Sequence, residues 1–174
     1  MNKEKIQFEL KDKYNPSDYL EKNVIPEVGK VTNELVYLEL VDFFGEVTSH
    51  SKGLGETMID ISGLRSGEYA SSQAKSLLGD NDEITKKELF LRSESLQEYK
   101  FGLMVLQYGL LGYPVTVVLE EDIELELYET RNLPIKCNSM YEFGSLCSSV
   151  LTSNKLIEVI NGVIQAVLRS KDSD

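Results

Sequence analysis

The C-terminal segment constrains the fold more than any other part of the chain, because its apolar stripe is too wide for a lone surface helix. The apolar positions recur at three- and four-residue spacings, which predicts a helix capped by Ser153 or Asn154. They are Leu156, Ile157, Val159, Ile160, Val163, Ile164, Val167 and Leu168. A helix with so broad an apolar arc needs a sheet or a partner to cover it.

The stretch from 115 to 128 shows the most regular alternation of the chain. In the first half, Val115, Val117 and Leu119 alternate with Thr116, Val118 and Glu120. In the second half, Ile123, Leu125 and Leu127 alternate with Glu124, Glu126 and Tyr128. A period of two is typical of strands with one buried face. We therefore predict a hairpin that turns at Glu121-Asp122, with one continuous bent strand as the alternative.

Other segments give shorter signals of both kinds. Strands are predicted at 6–10, 35–43 and 57–62, although a helix also fits 35–43 and residues 84–92 fit either state. Helices are predicted from Asn15-Pro16-Ser17-Asp18 to an end at Pro26 and Gly29, from Ser66 to Leu78, and from Ser95 through Leu110 to a break at Gly112.

These elements together predict an α+β fold, with a mixed α/β arrangement as the alternative. A small, mainly antiparallel or mixed sheet of about 4–5 strands packs against 3–4 helices, including the C-terminal amphipathic helix. The 174 residues, 41% of them hydrophobic, fit a single globular domain over 1–170 with a polar tail at 171–174.

The charge balance limits the partners of the chain. Asp and Glu number 29 against 18 Lys and Arg, for a net charge of −11. A field of this sign repels phosphate backbones and anionic headgroups, so we expect no direct nucleic acid binding and no membrane binding. No apolar leader follows Met1, and Cys137 and Cys147 form no metal-binding motif, which favours a cytoplasmic protein with reduced thiols.

Catalytic and cofactor motifs are sparse. The only histidine, His50, lies between Ser49 and Ser51 in a loop with Gly53 and Gly55, where it is the one candidate general base. A solvated loop histidine is the plainer interpretation. Ser72 and Lys75 match the SxxK pattern without its partner motifs, and no nucleotide- or metal-binding signature occurs, so neither a cofactor nor a metal is expected.

A cluster of carboxylates is the clearest candidate for a binding site. Its members fall within ten residues and are Glu120, Glu121, Asp122, Glu124, Glu126 and Glu129. On a hairpin these side chains would face water together, and a basic protein would relieve their repulsion. A solvated strand face and a Ca²⁺ or Mg²⁺ site are the alternatives.

The sequence thus predicts an intracellular, non-enzymatic protein that binds a basic partner through the acidic hairpin, in the manner of an inhibitor, immunity protein or antitoxin. Two other hypotheses remain open. One is a small enzyme or ligand-binding domain that uses the His50 loop, and the other is a structural subunit that forms a homodimer through the C-terminal helix.

Overall fold

The computed structural model of the chain describes residues 12–45, 47, 83–129 and 134–171. The elements predicted at 6–10, 57–62 and 66–78 lie outside the described residues, as do His50 and the Ser72–Lys75 pair.

The first helical stretch begins where the sequence predicts and ends later. Asn15 caps α1 (Pro16–Tyr19) by accepting the backbone N–H of Asp18 at 2.9 Å. A π-helical turn (Leu20–Val24) leads into α2 (Ile25–Val31). The predicted end at Pro26 is wrong, because the π-helical turn places Pro26 in the first turn of α2, where a missing N–H costs no hydrogen bond.

Five antiparallel strands form the sheet of the described residues, and they lie side by side in chain order. They are β1 (Tyr37–Asp42), β2 (Thr85–Arg92), β3 (Lys100–Tyr108), β4 (Val115–Leu119) and β5 (Ile135–Cys137). The strand predicted at 35–43 is confirmed, and residues 84–92, which fitted either state, form a strand.

The helix predicted from Ser95 to Leu110 is wrong, because this segment contains β3. Residues from Gly102 to Leu106 are buried in an unbroken run, which shows that β3 is covered on both faces. A strand buried on both faces carries leucine at any position, so the helical spacing of its leucines is coincidental.

The predicted hairpin is half right. Val115–Leu119 is strand β4, as the alternation indicates. The second strand is wrong, because Glu121–Tyr128 forms a helix, α3. Helices α4 (Met140–Leu151) and α5 (Asn154–Lys171) follow β5, and α5 confirms the predicted C-terminal helix, with Ser153 Oγ accepting the N–H of Leu156 at 3.3 Å.

The helices share one hydrophobic core with one face of the sheet. Leu20, Ile123, Phe143 and Leu156 are fully buried in it, and each comes from a different helical stretch. The strand residues in this core include Leu38, Leu89, Leu91, Met104, Leu106, Val117 and Leu119. The result is an α+β fold with an antiparallel sheet, which confirms the predicted class.

The second face of the sheet, opposite this core, is buried at its centre and half-buried around it. Glu88, Val105 and Val118 are cross-strand neighbours on it, and Phe90 lies two residues from Glu88 on the same strand. No described helix has the length and apolarity to cross a membrane.

Candidate interaction surface

The acidic segment starts a helix instead of closing a hairpin. Glu120 is the N-cap of α3, and its carboxylate accepts the backbone N–H groups of Asp122 and Ile123, each at 3.0 Å. Burial raises the pKa of Glu120, and the hydrogen bond from Ile123 opposes this shift. Acidic residues in the first turn also suit the positive end of the helix dipole.

Glu126 caps the N-terminus of the neighbouring helix, α5. Its carboxylate accepts the backbone N–H of Asn154 at 2.7 Å and that of Lys155 at 3.1 Å, together with the Asn154 side-chain amide at 2.8 Å. These bonds lower the pKa of Glu126. A salt bridge of 2.9 Å between Lys155 and Asp122 joins the same two helices.

The outward side of α3 combines apolar and acidic side chains. Residues three and four apart are neighbours on a helix, so Leu125 is surrounded by Glu121, Asp122, Tyr128 and Glu129. Leu125 is 37% exposed and Tyr128 is 46% exposed. We call these five residues the α3 surface. An apolar centre with a polar rim is the usual composition of a protein-binding surface.

A groove of about 280 Å³ continues from the α3 surface, since Tyr128 belongs to both. The groove lies between the end of α3, strand β5 and helix α4, and Lys136, Cys137, Tyr141 and Glu142 are among its lining residues. Tyr141 is almost fully exposed. Exposed tyrosines favour protein contact, because one rigid ring offers both apolar area and a hydrogen-bonding group.

The described thiols are unsuited to nucleophilic catalysis. Burial raises the pKa of Cys137 to about 11 and that of Cys147 to about 12, so both are neutral at physiological pH. Cys147 lies buried in α4. Within the described ranges, no three His, Cys, Asp or Glu side chains are grouped so that they could hold a metal ion.

A second groove, of about 300 Å³, lies between the β2–β3 connection and α5. Leu96, Tyr99 and Val159 line it, and Lys155 and Glu158 are its charged members. Lys155 is already paired with Asp122. The groove therefore offers mainly apolar contact, with little polar chemistry to orient a reacting substrate.

The second face of the sheet holds an unusual group of charges. Arg92 and Glu39 form an ion pair of 2.7 Å, and the Lys100 ammonium lies 3.2 Å from the centroid of the Phe90 ring. Glu88 is only 6% exposed, and its Oε1 has no hydrogen-bond partner. Burial raises the pKa of Glu88 to about 7, against the opposing attraction of Lys100.

The structure redistributes the six carboxylates that the sequence groups together. Glu120 and Glu124 are buried and Glu126 caps α5, whereas Glu121, Asp122 and Glu129 belong to the α3 surface. Leu125 and Tyr128 were missed as candidates. The four-residue spacing from Glu121 to Leu125 and on to Glu129 carries the signal that places them on one helix side.

Comparison of the chain with protein-family models, with curated proteins and with solved structures found no match.

Proposed function

We propose that the chain is a non-enzymatic protein that binds a basic protein partner through the α3 surface. The observation that carries the proposal is the exposed Leu125 beside Glu121 and Glu129 and next to the tyrosines of the adjoining groove. Asp122 in the same rim is already paired with Lys155 of α5, so the attraction of a basic partner falls to Glu121 and Glu129. The apolar centre supplies contact area and the rim favours a partner of opposite charge.

The net charge of −11 supports the same class of partner. Long-range attraction between an acidic and a basic protein speeds their encounter and disfavours acidic competitors. An inhibitor or immunity-like role is consistent with such a surface, since these proteins act by covering the partner instead of transforming a substrate.

The test measures binding to the basic proteins encoded beside the gene of this chain. Each candidate is titrated by calorimetry against the wild type and against the E121K/E129K variant. We expect the variant to bind at least about tenfold more weakly, which corresponds to about 1.4 kcal/mol. The loss should shrink as salt is added, because salt screens exposed charges.

The E21K/E94K variant is the matched control, because it makes the same change in net charge at two exposed positions outside α3. It should retain most of the affinity. Equal weakening by both variants would reduce the effect to net charge alone, and unchanged binding by E121K/E129K would remove the α3 surface from consideration.

A further inference from the structure

The groove beside the α3 surface follows the last strand of the sheet. All three residues of β5 line it, and α4 lines the opposite side from Tyr141 to Ser149. Among the described strands only β4 pairs with β5, so the other edge of β5 has no strand beside it in this part of the chain. Such an edge presents backbone N–H and C=O groups with which a further strand can pair.

The groove has the dimensions of a short strand. From Tyr141 to Ser149 the axis of α4 rises roughly 12 Å, and the three residues of β5 extend roughly 10 Å. Leu146 is buried at the groove and Ile135 is half-buried, so part of the Ile135 side chain still faces solvent. An extended segment with apolar side chains would cover this remaining apolar area.

The part of the chain that the structure describes begins at one end of this groove. Oδ1 of Asp12 accepts the backbone N–H of Met140 at 2.7 Å, and Met140 is the first residue of α4. Helix α1 is fixed against the same helix, since the rings of Tyr19 and Phe143 pack edge to face with centroids 5.8 Å apart. Residues 1–11 are therefore attached next to the end of β5.

The residues just before this anchor have the pattern of a strand with one apolar face. Ile6, Phe8 and Leu10 alternate with Gln7 and Glu9, which is the period of two that predicts the strand at 6–10. Five extended residues span roughly 17 Å, which exceeds the length of the groove. A single residue separates the segment from the anchor, so the segment starts within reach of the groove.

The charges of the segment and of β5 are complementary. Successive side chains of a strand point to opposite faces, so Phe8 on the face of Ile135 places Glu9 on the face of Lys136. Lys136 is exposed and carries the only charge of β5. One arrangement thus puts the apolar side chains over the groove and an acid on the side of a base, and a slip by one residue would lose both matches.

We propose that residues 6–10 occupy this groove as a sixth strand, which pairs in parallel with the free edge of β5. The direction is parallel because both segments run toward the contact between Asp12 and Met140. A segment of the same chain reaches the edge at a high effective concentration, ahead of a second copy or a foreign peptide. Leu125 is not among the residues that line the groove, so the strand leaves the centre of the α3 surface open to a partner.

NMR spectroscopy of the full chain tests the proposal without any substitution. We expect backbone NOE contacts between residues 6–10 and 135–137, and a sample that mixes labelled and unlabelled chains should show that these contacts lie within one chain. Contacts of residues 6–10 with another element, contacts between two chains, or random-coil chemical shifts for residues 6–10 would each overturn the proposal.

The I6S/F8S/L10S variant measures how far the apolar side chains hold the strand. We expect backbone amides of residues 135–137 that are protected in the wild type to exchange with solvent at least about tenfold faster in this variant. Q7S/E9S/K11S, which changes the alternate positions, is the matched control and should keep most of the protection, because an exposed ion pair contributes little. Equal exchange rates in I6S/F8S/L10S and the wild type would contradict the proposal.

Discussion

Glu88 is the described carboxyl group whose burial is compensated least by hydrogen bonds. It is nearly fully buried on the second face of the sheet, and one of its oxygens has no partner. A carboxylate in such a place loses its hydration without full compensation. Its pKa of about 7, raised from an ordinary 4.5, means that the folded chain keeps a proton that the unfolded chain has already lost.

The folded state should therefore lose stability as the pH rises from about 4.5 to about 7, because only the unfolded chain ionises freely in that range. The E88Q variant, which carries no ionisable group there, should lack this part of the pH dependence. Below pH 4.5 the carboxyl is protonated in both states and adds no slope. The difference between the two chains amounts to at most about 3.4 kcal/mol, since the pKa differs by about 2.5 units and each unit corresponds to about 1.36 kcal/mol.

Urea unfolding at a series of pH values measures this difference, and subtracting the E88Q curve removes the contribution of every other titrating group. Glu94→Gln, at an exposed position, is the control and should reproduce the wild-type slope. Parallel curves for wild type and E88Q would show that Glu88 ionises normally.

Glu126 links two elements, because a residue of α3 caps the first turn of α5. Removal of the carboxylate in E126A should fray that turn and lower the stability. Since the hydrogen bonds lower the pKa of Glu126, its contribution is present at neutral pH and disappears as the pH falls through that lowered value.

Amide hydrogen exchange at Asn154 and Lys155 reports this cap directly. We expect both amides to exchange faster in E126A than in the wild type, while a Glu129→Ala variant leaves them protected. Unaltered protection of both amides in E126A would contradict the role of Glu126 as the cap of α5.

The two mispredicted elements show where local patterns fail. Leu103 and Leu106 fit a helical period, yet β3 is covered on both faces, so its apolar spacing holds no information about period. In α3 the alternation of Ile123, Leu125 and Leu127 suggested a strand. Ile123 and Leu127, four apart, equally fit one side of a helix, and Glu120 ahead of them supplied the N-cap.

The fold class could be predicted from the sequence, whereas the order of the strands and the roles of the α3 carboxylates could not. The wide apolar arc of α5 requires a covering layer, and the alternation in β4 indicates a sheet, so an α+β fold followed from the sequence. The order of the strands could not be predicted, because β3 fits a helical period and α3 fits a strand period, so the set of strands to be paired was not known. The acidic cluster was found from the composition of the segment. Its division into the caps Glu120 and Glu126, the buried Glu124 and the surface residues of the rim required the fold.

The chain order of the strands has a consequence for how the molecule assembles. Residues 93–99 and 109–114 alone separate β2 from β3 and β3 from β4, whereas residues 43–84 separate β1 from β2. Short loops close at a lower entropy cost, so the β2–β4 meander should form first and β1 should join last. In pulsed hydrogen exchange during refolding, amides that bond β3 to β4 should gain protection before those that bond β1 to β2; simultaneous protection would point to a single concerted step.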